Sequence, residues 1–218
     1  MDNQARENVL KPEYILVSIF TLVIAFTIRY VYKINRRIGS LTDLPRNYLD
    51  YEIKGIVTSV ADGDGFKLFH TPLLRSTVYK PSDPKLTIRL AGIDAPETRW
   101  YGTPEQPYAL ESKEYLASLI LNKRVKIIIK GLDRYNRILA IVFVGSCFSS
   151  VNVNLKIIEE GYACVYVGRD GVYGGYKDEM IKIQKIAKDK KKGMWKLNNL
   201  VLPMEYKKNR KKKGTPYN

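Results

Sequence analysis

The sequence predicts an α+β protein: a five-stranded Greek-key β-barrel of OB type carrying three helices, preceded by one N-terminal transmembrane helix. Three observations predict it. Short β-rich segments alternate with helix-patterned ones, most connections between strands are too short for parallel crossovers, and a long uncharged segment stands apart near the N-terminus.

That segment comes first along the chain. Residues 14–28, YILVSIFTLVIAFTI, carry no charge, and with Arg29 snorkelling the apolar stretch continues to Tyr32, 19 residues in all. A spanning helix needs roughly 20. The stretch is apolar on every side, unlike a surface helix, and runs into Arg29, Lys33, Arg36 and Arg37. The leader, residues 1–13, holds two basic and three acidic side chains, and no A-x-A cleavage pattern follows the segment. This predicts an uncleaved signal anchor at 14–32 with the C-terminal body on the cytosolic side. Residues 33–52 read as a basic flank and tether, 53–196 as the folded domain, and 197–218 as a basic tail.

Within the domain, Ile53 to Val60 and Gly65 to Phe69 are β-rich and flank the turn tripeptide Asp62-Gly63-Asp64. A polar loop with three prolines covers residues 70–85, and His70 at its start reads as a turn residue. Leu86 to Ile93 is a third strand, with Ile88 and Leu90 on one face and Thr87 and Arg89 on the other. Pro107 to Asn122 is a helix with Pro in its first turn and Ala109, Leu116 and Ile120 on one face. Arg124 to Lys130 and Ile138 to Val144 pair around Asp133-Arg134-Tyr135-Asn136-Arg137. Asn152 to Glu160 is a short helix, with Asn152 as its cap and Gly161 as its stop. The last predicted helix runs from Lys177 to Lys191, with Met180, Ile183 and Ala187 on one stripe.

Composition narrows the chemistry. Lys and Arg number 37 against 22 Asp and Glu, a net charge of +15 that predicts a polyanionic partner, nucleic acid or an anionic membrane surface. Most of the excess sits at the end, where residues 186–218 hold 11 basic and 2 acidic side chains. Runs such as KDKKK and KKNRKKK read as solvated and disordered, adding salt-sensitive attraction to phosphates. His70 is the single histidine, which excludes His-dependent nuclease chemistry, Cys/His zinc sites and any Ser-His-Asp triad not built on that residue. Cys147 and Cys164 are too few for a disulfide framework and read as small buried hydrophobes. Carboxylates, arginines or an imported metal are left to act.

Four carboxylates and two arginines stand at strand ends. Asp62 and Asp64 lie in the turn after the first strand, Asp94 and Glu97 follow the third, Arg89 is on the third, and Arg137 closes the last hairpin turn. Each alone has a structural reading, since Asp-Gly-Asp is a common turn and Asp-Ala-Pro-Glu can simply end a strand. Together they suit Ca2+, which takes 6 to 8 oxygen ligands in flexible geometry. Two arginines clamp phosphodiester oxygens, and a carboxylate such as Glu97 positions or deprotonates water.

The strings VADGDGFKL, TIRLAGIDAPE and LDRYNRILA, in this order, resemble the three signature segments of the staphylococcal nuclease-like (thermonuclease) family over about residues 53–196. Within it, the anchor, the FHTP segment and GTPEQPY look most like the fungal single-pass membrane nucleases associated with mitochondria. The resemblance implies that Arg89, Glu97 and Arg137 are catalytic and that Asp64 and Asp94 bind Ca2+, with the backbone carbonyl of Ala95 as a further ligand and Asp62 behind them. It implies hydrolysis of DNA, RNA or both, and Tyr135 and Tyr166 are candidates to stack on bases. Two features depart from the bacterial pattern: Gly65 stands where Thr or Ser is usual, and the 70–85 loop is long. The expectation is a membrane-anchored, Ca2+-dependent endonuclease, in a mitochondrial membrane by resemblance, with the endoplasmic reticulum as the other possible membrane. The rival reading is a non-catalytic OB module holding nucleic acid or a partner at a membrane.

Overall fold

The structure, a computed structural model, describes residues 12–75, 77–98, 104–146 and 149–212, without the side chains of 210–212. Two compact units emerge: the N-terminal helix together with Pro72–Arg75, and the remainder. The helix, α1 (Pro12–Asn35), has 24 residues and is therefore about 36 Å long at 1.5 Å per residue. It is long and apolar enough to cross a membrane. Its hydroxyls are satisfied internally: Ser18 donates to the Tyr14 carbonyl at 2.7 Å and Thr27 to the Val23 carbonyl at 2.8 Å, so they would leave little unmet polarity in apolar surroundings.

In the second unit, β1 (Glu52–Val60), β2 (Gly65–His70), β3 (Leu86–Leu90) and β4 (Ile93–Asp94) precede α2 (Ala109–Ile120). Then come β5 (Arg124–Leu132), β6 (Ile138–Gly145), β7 (Ser150–Asn152), α3 (Val153–Glu159), β8 (Cys164–Val165), α4 (Lys177–Asp189) and α5 (Pro203–Lys212). The strands pair in the order β3-β2-β1-β5-β6-β7, and a parallel β3–β6 pairing closes the first five into a barrel. Strand alternation fills it: Val125, Ile127 and Ile129 point inward from β5, Ile88 and Leu90 from β3, Ile53 and Val57 from β1. The short β4 and β8 pair with each other outside the barrel.

The predicted elements are present with small shifts. The third strand breaks at Ala91-Gly92, where Gly92 has φ +76, so Ile93 and Asp94 turn away to pair with β8. Helix α2 starts at Ala109, two residues after Pro107, because Tyr108 takes a left-handed φ of 69. Asn152 caps α3 by accepting from the Leu155 N–H at 3.2 Å. Gly161 ends the following turn at φ +74, where a Cβ would meet the Lys192 carbonyl at 2.2 Å. Asn154 pins α3 to the barrel seam, donating to the carbonyls of Ala91 and Ala140 and accepting from the Val142 N–H. Cys164 is buried; Cys147 lies outside the described residues.

Three segments differ from the sequence reading. The stretch read as a tether is docked on the barrel, with Ile38 in the core and Leu41, Leu44 and Tyr48 packed against it. Its apolar residues gain more from burial than a solvated linker would. The basic end is not wholly disordered: residues 203–212 form α5.

His70 is the third. It is the last residue of β2, only 8% exposed, and its Nδ1 accepts from the Ile38 N–H at 2.9 Å. Burial, reinforced by the Arg37 charge, pushes its pKa down to about 4. The unfolded chain therefore binds the extra proton between that value and the ordinary 6.5, so this contribution is complete above pH 6.5 and is lost as pH falls toward 4. His70→Gln keeps an acceptor for Ile38 but does not titrate. Unfolding of the detergent-solubilised chain should show His70→Gln gaining on wild type by up to about 3 kcal/mol between pH 7 and 4; a difference independent of pH would refute this.

Candidate active site

The barrel ends gather the site. Gly65 pairs with Arg89 across β2–β3, and Arg89 pairs with Leu139 across β3–β6. Arg89 thus lies between the Asp62–Asp64 turn and the Asp133–Arg137 turn. Gly63 lets the first turn lie flat on its neighbours, since a Cβ there would stand 2.7 Å from the Cβ atoms of both Ala95 and Ser112. This packing brings Asp64 beside Asp94.

Asp64 and Asp94 are buried, and one guanidinium nitrogen of Arg89 bridges them, 2.8 Å from Asp64 Oδ2 and 2.9 Å from Asp94 Oδ1. Burial opposes the Arg89 charge, but Asp64 and then Asp94 hold its pKa above the ordinary value. Asp62 Oδ1 accepts from the Asp64 N–H at 3.1 Å. Its own burial, with the Asp64 charge beside it, pushes the Asp62 carboxyl up to about 7. A Cβ on Gly65 would lie 2.8 Å from Asp62 Oδ1, so the carboxylate occupies the space of the missing Thr or Ser side chain.

Arg137 is fixed from behind. Its Nε donates to Asp133 Oδ2 at 2.6 Å, while Asp133 Oδ1 accepts from the backbone N–H groups of Tyr135 and Arg137. Burial raises the Asp133 pKa, but these bonds hold it below the usual carboxylate value. Asn136 takes the left-handed φ of 59 that the turn demands. Arg134 and Arg137 both lie over the Tyr135 ring, at 4.8 and 5.6 Å from its centre. Asp133 was not among the sequence candidates, although its place four residues before Arg137 is the signal that finds it.

One open cleft of about 1060 Å³ takes in Asp62, Arg89, Asp94, Glu97, Arg137, Tyr135 and Tyr166. Asp64 lies beneath it, through Arg89, and Ala95 is 3% exposed in the turn between Asp94 and Glu97. The Tyr166 hydroxyl donates to Asp170 at 2.8 Å.

The profile of the staphylococcal nuclease homologue family matches residues 87–197. The chain belongs to the staphylococcal nuclease-like family. It is thereby a hydrolase of the nuclease type. A probable endonuclease of Schizosaccharomyces pombe is 38% identical over 79% of this chain and 86% of its own length. The probable endonuclease LCL3 of Komagataella phaffii is 31% identical over 92% and 95%. Endonuclease Htp3 of Saprolegnia parasitica is 29% identical over 90% and 97%. The profile match takes in Arg89, Asp94, Glu97 and Arg137 but not Asp62 or Asp64.

Staphylococcal nuclease-like proteins generally depend on Ca2+, and the residues here fit such an ion. Asp94 Oδ1 meets Arg89, and its Oδ2 is buried without a hydrogen-bond partner among the described residues. Burial, with the Asp64 charge beside it, raises the Asp94 pKa against the opposing pull of Lys207 and Arg89. Among the described residues no three acidic, imidazole or thiol side chains form a cage. The ligand set would be Asp64 and Asp94 with backbone carbonyls, Ala95 among them, and water.

The sequence reading missed Lys207. Its Nζ stands 2.7 Å from Asp94 Oδ1 and 2.8 Å from Glu97 Oε1. Burial opposes the Lys207 charge, yet Asp94 and Glu97 hold its pKa above the ordinary value. Gln106 ties the same region together: its Oε1 accepts from the Glu97 N–H at 3.0 Å, and its Nε2 donates to the Val201 carbonyl at 2.7 Å.

Proposed function

We propose that this chain is a membrane-anchored, Ca2+-dependent endonuclease hydrolysing phosphodiester bonds of DNA, RNA or both. The observation that carries the reading is Arg89, held by Asp64 and Asp94 in a cleft shared with Glu97 and Arg137. Arg89 and Arg137 take the non-bridging phosphate oxygens and stabilise the charge that grows on them as water adds to phosphorus. Glu97 accepts the proton of that water; as the new P–O bond forms, the ester P–O bond opposite it breaks, and the leaving oxygen takes a proton from solvent and departs as an alcohol. Asp133 occupies Nε of Arg137, which lines the cleft, and this leaves the terminal nitrogens of the guanidinium for phosphate. When bound at Asp64 and Asp94, Ca2+ supplies positive charge against the phosphate and orders water. Tyr135, half exposed, and Tyr166 stack on bases at the cleft wall.

Helix α1 supports the anchor, and the basic flank Lys33, Arg36 and Arg37 supports a cytosol-facing body. Resemblance favours a mitochondrial membrane over the endoplasmic reticulum. The test is a cleavage assay of the detergent-solubilised chain on single- and double-stranded DNA and RNA, with Ca2+ or with chelator. Cleavage only with Ca2+ is the expected result. Retention of nucleic acid without cleavage in either condition would replace the enzyme by a binding module.

A further inference from the structure

Pro72–Arg75 belong to the same compact unit as α1. The Leu74 N–H donates to Asn35 Oδ1 at 2.8 Å, and the Asn35 amide donates back to the Val31 carbonyl at 2.9 Å. Asn35 is the one buried residue described in α1. The leucines it holds are not covered: Leu73 is 80% exposed and Leu74 69%. Burying a leucine side chain is worth roughly 1.5–3 kcal/mol, so two side by side are poorly placed in water.

Their depth follows from the helix. The apolar stretch closes at Tyr32, and three further residues put Asn35 about 4.5 Å beyond it. The polar interface adds roughly 5–7 Å to each side of the hydrocarbon core. Asn35 and the backbone of Leu74 bound to it therefore lie within the interface, beside Lys33 and Arg36. We propose that Leu73 and Leu74 insert into the lipid interface next to the anchor, giving the protein a second, shallow contact with the bilayer; this rests on the anchor reading above. Lipid is the occupant because the loop is fastened to the end of the helix that would span it. The Pro72–Arg75 part of the insertion after β2 then serves as a membrane-docking segment.

The test places a small fluorescent amino acid at position 73, or at exposed Ser82 as control, in the full chain reconstituted into vesicles of neutral and anionic phospholipid. At position 73 the emission should shift to the blue, and nitroxides near the lipid headgroup should quench it at least about twofold more than nitroxides deep in the acyl chains. The probe at Ser82 should remain water-like. Co-flotation with a water-like probe at position 73 overturns the docking segment and leaves the anchor standing. Failure to float with vesicles overturns both.

A separate observation carries a second inference. Lys207 binds Asp94, to which the proposal assigns the ion, and Glu97, to which it assigns the water. Helix α5 is fastened over this pair: the Tyr206 hydroxyl donates to the Pro104 carbonyl at 2.5 Å, and Gln106 holds the Val201 carbonyl. We infer that Lys207 is a tethered cation that competes with the divalent ion for Asp94, so that α5 is a strap released when the ion binds; this rests on the Ca2+ part of the proposed function. By linkage, whatever Ca2+ does to the strap, the strap does to Ca2+ affinity.

Calorimetry with Ca2+ alone should find Lys207→Met binding about tenfold more tightly than wild type. In wild type, where no variant has to fold, Ca2+ should speed hydrogen exchange of the backbone amides in Pro203–Lys212. Equal affinities, or exchange unaffected by Ca2+, would overturn the strap while sparing the Ca2+ reading. Absence of Ca2+ binding in both proteins would overturn both.

Discussion

Arg89→Lys should reduce cleavage by about two to three orders of magnitude while the chain remains folded. Arg89 has two tasks. One nitrogen neutralises the buried pair Asp64 and Asp94, and the rest of the fork is available to phosphate. Lysine keeps the first, because its ammonium can take the place of that nitrogen. It cannot then make a planar, two-pronged contact with phosphate from the same atom. Removing the charge altogether would be a poorer test, since buried Asp64 would lose the counter-charge that Arg89 supplies, at a cost of about 3–5 kcal/mol of stability, while Asp94 would keep only Lys207. Arg137→Lys should share the loss, because lysine has no separate Nε for Asp133 to hold while its tip binds substrate. Steady-state rates on a short oligonucleotide, with the unfolding midpoint measured alongside, check both variants. Unchanged rates would remove the arginines from the mechanism.

Chelation should have the larger effect, a fall of about 1,000-fold or more that added Ca2+ reverses. The reason is local charge. Asp64, Asp94 and Glu97 face Arg89 and Lys207, so the pocket has no surplus of positive charge to offer an incoming phosphate. Asp94 Oδ2 has no hydrogen-bond partner among the described residues. Three carboxylates against two cations leave one negative charge in excess, which a divalent ion at Asp64 and Asp94 would offset. Asp94→Asn should reproduce the effect of chelation and resist rescue by ordinary Ca2+ concentrations. Cleavage that persists in chelator would sever the two aspartates from metal binding.

The strands were legible because their signals are local. Alternation in Leu86–Leu90 and Arg124–Leu132, the Asp62-Gly63-Asp64 turn and the Asn152 cap each involve residues a few positions apart. The carboxylates and arginines were legible for the same reason, as they stand at strand ends that local pattern defines. Asp133 was within reach of such reasoning and was missed, because an aspartate opening a polar turn looks like turn chemistry first. Closure of the barrel was implied only by the shortness of the connections. The β3–β6 pairing that achieves it joins Ile88 to Ile138 and has no local signature.

By itself the sequence determined the apolar N-terminal helix, the strand set and the chemical types at the strand ends, since periodicity, charge and turn residues are properties of near neighbours. Only the tertiary structure decided which lysine in the basic end meets Asp94 and Glu97, and where His70 and Leu74 go. Lys207 is 113 residues from Asp94 along the chain and sits among other lysines with the same local appearance. Its position depends on where Gln106 and Pro104 fasten the end of the chain, and His70 is buried because Ile38, 32 residues earlier, folds back onto it. Contacts at that separation are set by the packing of the whole barrel, which no window of the sequence contains.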